Sequence, residues 1–253
     1  MIRLQRFCNK RQNIGHSEMV EKFILTSINN GVGEIILNRS EKRNALTGPF
    51  VDNLNSALQS LVADNSCTVI VLRGAGGVFC AGLDTEAFSQ DPAPPWRQHF
   101  REDWANLHNN FFLCPKPIIG AVEQYAIAGG AALAFACDFL VVGENSFLHV
   151  SEVKMGLMAP INTAWLGIRY SYALGLRLAV QGDPVYGHEL LQLGIANQCC
   201  EDSEVLNEAM KLGCRLGRYN MKTLQDLKSA LRTAKGLTNF HQILEEINNS
   251  QNL

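Results

Sequence analysis

The groups in this chain best suited to chemistry are backbone amides rather than side chains. Residues 124–138, QYAIAGGAALAFACD, read as a strand end, a glycine pair and a wholly apolar helix closed by Cys137 and Asp138. The turn is made of Ala128, Gly129 and Gly130, so a ligand could approach the main chain with no side chain in the way. The helix behind it would aim unpaired N–H groups and the positive end of its dipole at that opening. Such a corner suits a carbonyl oxygen that gains negative charge. A tight turn into a buried helix explains the same glycines without chemistry. A second stretch, RGAGGVFCAGLDTE over residues 73–86, leaves the apolar run TVIVL directly. Two glycine-bearing turns, each following a buried strand, can set two N–H donors on one oxygen.

The elements that must position these turns are legible from periodicity. Residues 22–28 and 32–37 are strand-like and are split by Asn29-Asn30-Gly31, a hairpin signal. From Thr47 the spacing predicts a helix, with Pro49 in its first turn and Phe50, Leu54, Ala57, Leu58 and Leu61 on one face. Residues 68–72 and 118–122 are continuous apolar runs of the kind buried on both faces of a parallel sheet. A Pro- and Asp-rich loop (SQDPAPP, 89–95) precedes a helical stretch over 96–112, which Pro115-Lys116-Pro117 stops. Strands are expected at 139–142 and 147–150. After Ser151 only helices are expected, near 160–170, 173–180, 184–192, 204–216, 221–234 and 237–247. This order points to a layered α/β core followed by a helical C-terminal region.

Composition narrows the classes of function. The 253 residues are 47% hydrophobic and 18% charged, with a formal net charge of −2. That balance gives no reason to expect nucleic acid or a membrane as partner, and no apolar run is long enough to span a bilayer. Eight cysteines are present without a C-x-x-C pair, and most lie inside apolar runs. They read as reduced core cysteines in a cytoplasmic protein, with no metal site. Arg3, Arg6, Lys10 and Arg11 without any acid in the first 17 residues fit a basic tail equally with an organelle transit segment. Gly74 to Gly77 lacks dinucleotide-binding spacing.

Four blocks occur in order: LNRSEKRNAL, VIVLRGAGGVFCAGLD, CPKPIIGAVEQYAIAGGAALAFACDFLVV and SEVKMGL. Together they resemble the crotonase (enoyl-CoA hydratase/isomerase) superfamily. The resemblance implies a ββα superhelix over residues 21–200, flanked by a basic tail (1–20) and a C-terminal helical region (201–253) shorter than usual. It implies an acyl thioester substrate, either acyl-CoA or an acyl carrier protein thioester, with no cofactor beyond coenzyme A. It also implies a homotrimer or a dimer of trimers. Carried onto this chain, the oxyanion amides are those of Leu83 and Gly129. The contacts to coenzyme A fall on Lys42, Ala45, Ala81, Leu83, Asp84 and Gly129. Lys42 and Arg43 could equally be a solvated surface pair, and Asp84 a helix cap.

The chain departs from the hydratase pattern at one place. Hydratases carry a glutamate at the position of Ala132 and a second at that of Glu152, and the pair holds one water. Only Glu152 is kept here, so ordinary hydration is expected to suffer. Mitochondrial-type enoyl-CoA isomerases resemble this chain more closely, since they use a lone glutamate at that position to move a proton from C2 to C4. A capping role beside Ser151 is the structural alternative for Glu152. Pro160 stands where some relatives place a reactive acid. A second acid could come from His99, Glu102, Asp103 or His108, and His149 could contact Glu152. The competing readings are an atypical hydratase, a decarboxylase or dehydratase acting on a carrier-bound acyl group, and a non-catalytic acyl-CoA binding subunit.

Overall fold

The computed structural model describes residues 22–249. The basic N-terminal tail expected from the sequence lies outside the described residues. Strands β1 (Ile24–Asn29) and β2 (Val32–Leu37) form the antiparallel hairpin. Asn30 and Gly31 both take positive φ, 52° and 82°, as a two-residue turn matched to sheet twist requires. Helix α1 (Gly48–Ala63) follows, capped by the Thr47 hydroxyl, which accepts from the Phe50 N–H. Strand β3 (Val69–Gly74) leads to the short helix α2 (Thr85–Phe88) and then to α3 (Phe100–Leu113). Strands β4 (Ile118–Val122) and β5 (Tyr125–Ile127) deliver the chain to α4 (Gly129–Ala136). Strands β6 (Phe139–Gly143) and β7 (Phe147–His149) come next.

Helices α5 (Pro160–Arg169) and α6 (Tyr172–Gln181) follow. Strand β8 (Val185–Tyr186), α7 (Gly187–Gln192) and β9 (Gln198–Cys200) come before α8 (Val205–Leu216), α9 (Met221–Ala234) and α10 (Phe240–Asn249). The expectation that strands cease after Ser151 is therefore corrected. β8 and β9 are two and three residues long, too short to show a period, and each exists only because it docks on an earlier strand.

Six strands form one sheet in the order β1-β2-β3-β4-β6-β9, parallel from β2 onward. A smaller sheet, β5-β7-β8, stands apart from it. The TVIVL run shows why the central strands look continuously apolar. Val69 and Val71 pack with Ile119, Ala121 and Val141 against Val205 and Ala209 of α8. Ile70 and Leu72 face the other way, into the core shared with α1, α3 and α4. Helix α4 is apolar all round, and every residue from Gly130 to Ala136 is buried.

One partly buried ionic knot ties the C-terminal helices to this core. Asp138, at the end of α4, accepts from the Ile118 N–H at 2.9 Å and pairs with Lys228 of α9 at 2.6 Å and Arg169 of α5 at 3.3 Å. Burial works against the Asp138 charge, but Lys228 and Arg169 outweigh it and hold the carboxyl below its usual range. Asp138→Ala would leave both cations without their counter-ion, holding only backbone carbonyls, and the Ile118 N–H without its acceptor. It is expected to destabilise the fold by about 3 kcal/mol, read as a lower midpoint in urea.

Candidate active site

The polar loop between β2 and α1 braces the first glycine turn. Asn44 is fully buried; its side-chain oxygen accepts from the Arg39 N–H, and its amide donates to the carbonyls of Ala75 and Val78 at 3.0 and 2.7 Å. Arg43 and Asn44 both take φ 54°, so the loop is fixed against its own backbone preference. The Cys80 thiol donates to the Asn44 carbonyl at 3.1 Å, and burial pushes its pKa up to about 12. It is a neutral brace, not a nucleophile. Leu46 N–H then donates to the Gly82 carbonyl at 2.8 Å, and Asp84 N–H to the Leu46 carbonyl at 2.9 Å. This parallel bridge turns the Leu83 N–H to the opposite side.

The second turn is locked against the first. Cys80 pairs with Ala126 of β5, donating to the Tyr125 carbonyl at 3.2 Å and accepting from the Ile127 N–H at 3.0 Å. Both glycines at the junction are required by close approach. A Cβ on Gly82 (φ 87°) would lie 2.9 Å from the Ile127 carbonyl oxygen and 3.5 Å from the Gly129 nitrogen. A Cβ on Gly130 would overlap the Cys80 carbonyl. Ala128 between them takes φ 51° and ψ −114°, a region costly for a residue with a Cβ. Among the described residues, the N–H groups of Leu83 and Gly129 donate to no backbone acceptor. Leu46 and Trp104 wall the Gly129 side, since a Cβ there would stand 2.8 and 3.5 Å from their side chains. Two free donors at facing turns, shielded by apolar walls, can hold a developing oxyanion.

Glu152 lies beside them in the 3-10 turn Glu152–Met155. Its Oε1 accepts from the Asn162 amide at 3.1 Å, whereas Oε2 is buried without a protein partner. Burial holds its pKa above the usual carboxylate value, against hydrogen bonds that include Asn162's and the nearby His149. A carboxyl so placed is a weak anion in a dry setting, which is what a proton carrier needs.

The other positions named from the sequence take varied roles. Ala132 is buried in α4 and brings no carboxylate. The Asp84 side chain caps α2 through the Ala87 N–H and pairs with Arg39 at 2.7 Å. Lys42 is half-exposed and pairs with Glu86 at 3.0 Å. The Ala45 carbonyl accepts from Arg39, and the Ala81 N–H donates to the Arg43 carbonyl. His149 bonds the Gly182 carbonyl at 2.8 Å. His99 and Glu102 are exposed, and Asp103 acts on Asp52, whose pKa is raised by burial first and by Asp103 second. His108 is buried, accepts from the Trp165 indole at 2.8 Å, and is pushed down by burial to about 3, so it is a neutral packing element. Pro160 opens α5. Among the described residues, no hydrogen bond or ion pair joins His99, Glu102, Asp103 or His108 to Glu152.

The profile of the Enoyl-CoA hydratase/isomerase family matches residues 27–253. The chain belongs to this family, within the crotonase superfamily. It is 29% identical over 203 residues to the 2,3-dehydroadipyl-CoA hydratase of Escherichia coli, covering 79% of this chain and 78% of that protein. It is 30% identical over 224 residues to the mitochondrial Delta(3,5)-Delta(2,4)-dienoyl-CoA isomerase of Rattus norvegicus, covering 82% and 68%. The crystal structure of an enoyl-CoA hydratase/isomerase from Xanthobacter autotrophicus superposes with a TM-score of 0.79 at 27% identity, over 88% of this chain and 84% of that one. The protein is thus an enoyl-CoA hydratase/isomerase family enzyme with the crotonase fold, and the relatives perform both kinds of reaction by name.

Within this family site, four residues escaped the sequence reading. Arg39 and Asn44 lie inside a block recognised as a whole, and their partners are distant in sequence. Asn162 is a polar residue in the first turn of a predicted amphipathic helix, and nothing in its spacing marks it. Trp104 fits the helical period of its own segment and reads as core.

Proposed function

We propose that the protein is a single-glutamate enoyl-CoA isomerase that converts a 3-enoyl thioester into the 2-enoyl isomer. The observation that carries this reading is the carboxylate inventory of the pocket. Glu152 presents a buried, unpartnered Oε2, and Ala132 offers nothing to hold a water opposite it. Glu152 takes the proton from C2, and the electron pair moves into the thioester carbonyl, whose oxygen is held by the Leu83 and Gly129 N–H groups. The resulting dienolate collapses with its double bond between C2 and C3, and Glu152 returns the proton at C4. One base serves both transfers, and no water enters.

Incubation with trans-3-hexenoyl-CoA is expected to generate the absorbance of a conjugated thioester. Crotonyl-CoA is expected to keep its conjugation. Rapid loss of conjugation from crotonyl-CoA would instead identify a hydratase with an unrecognised second acid. Silence with both substrates would overturn the isomerase reading.

A further inference from the structure

Asn162 is 2% exposed and spends both hydrogens of its amide inside the site. Nδ2 donates to the Ala128 carbonyl at 3.1 Å and to Glu152 Oε1 at 3.1 Å. The Ala128 carbonyl can only accept, so the orientation of this amide is fixed by its partners. We propose that Asn162 is the positioning residue that holds the oxyanion donor and the base in one fixed relation. This rests on Glu152 being the base.

Two consequences follow from the geometry. The Ala128 carbonyl and the Gly129 N–H belong to one planar trans peptide and point in opposite directions. Gripping the carbonyl from behind therefore aims the N–H at the substrate oxygen. That grip matters because Ala128 sits in a costly backbone conformation that its neighbours must over-determine. The Ala132 N–H, which donates to the same carbonyl at 3.1 Å, is the second restraint. At the other end, tying Oε1 leaves Oε2 as the oxygen that carries the substrate proton. Asn162 Oδ1 is buried without a partner, so its side chain is not there to satisfy a network of its own.

The surroundings of Glu152 leave few other groups to tune it. His149 of β7 is the other titratable side chain that acts on it, and its ring is held by the Gly182 carbonyl. Lys154 and Asp183 pair with each other at 2.8 Å. An Asn162 substitution leaves these contacts in place, so a change in the base's titration reports on residue 162.

The test is the pH dependence of turnover of trans-3-hexenoyl-CoA by the full-length protein and its Asn162→Ala, Asn162→Asp and Glu152→Gln variants. Asn162→Ala is expected to lower kcat about 10²-fold with little change in KM. The acid limb of its kcat profile should move to higher pH, because a hydrogen bond that favours the carboxylate is gone. Asn162→Asp keeps the shape, so it tests the charge; its limb should move further, since a like charge faces the base. A packing role would lower the folded fraction and leave the limb in place. An unmoved limb in Asn162→Asp, with Glu152→Gln inactive, overturns the role of Asn162 alone. Wild-type turnover by Glu152→Gln overturns the base assignment and this inference with it.

Discussion

Glu152→Gln is expected to lower kcat for trans-3-hexenoyl-CoA by about 10³-fold while leaving substrate binding close to intact. General acid–base groups contribute on the order of 10² to 10⁴ in rate, and in the proposed isomerisation one carboxylate serves both proton transfers. The same variant carries a stability signature of opposite sense. Burial raises the carboxyl's pKa in the folded state, so the native protein holds this proton to higher pH than the unfolded chain does. Stability from that proton is complete below the unfolded value and is lost as pH rises through the folded one. Glutamine does not titrate, so the melting temperature of Glu152→Gln relative to wild type should climb between about pH 4 and pH 7. A carboxylate that merely capped the following turn would be stabilised as the anion, and the difference would run the other way. Thermal melts at the two pH values separate the cases even before activity is measured.

Gly130→Ala is expected to abolish most turnover although it adds only one methyl group and removes no functional side chain. The new Cβ would stand against the Cys80 carbonyl and 2.9 Å from its carbon, both of them backbone. Neither partner has a rotamer to yield, because Cys80 is paired on both sides with β5. The strain must push the two turns apart, and the Leu83 and Gly129 N–H groups would no longer meet on one oxygen. Loss of one such donor costs about 10² to 10³ in kcat, and a displacement that misaligns both should reach the upper end. Overpacking is expected to cost a further 1–3 kcal/mol or so in stability. The comparison is Gly167→Ala in α5, where the backbone is helical and no atom lies within 4 Å of the new Cβ. Circular dichroism and a thermal melt should show both variants folded, with kcat reduced only in Gly130→Ala.

These two effects rest on different levels of information. That the corner at Ala128–Gly130 would present backbone donors was legible in the chain: a buried strand, small residues and an apolar helix leave little else. The resemblance of the family blocks then pointed to Leu83, Gly129 and Glu152 as candidates, and the absence of a carboxylate at Ala132 is visible without any coordinates. Strong local periods located α1, β3, β4 and α9 within a residue or two, because each is long enough to repeat its pattern.

What the sequence by itself determined is therefore the α/β class, the family and the chemical types at the site. Tertiary structure alone decided how those types act. Strands β8 and β9 arise only by docking on neighbours, and the second sheet, which β8 completes, was not legible. Asp84, which looked available to a ligand, is committed to Arg39, a partner 45 residues away. His108, a candidate acid by type, is made inert by burial among aromatic rings. Asn162 gains its meaning only when α5 folds back so that one amide reaches both the Ala128–Gly129 turn and Glu152. Residue type fixes which protons and lone pairs exist, whereas burial and distance fix which of them are free, and those two quantities come from contacts between segments remote in sequence.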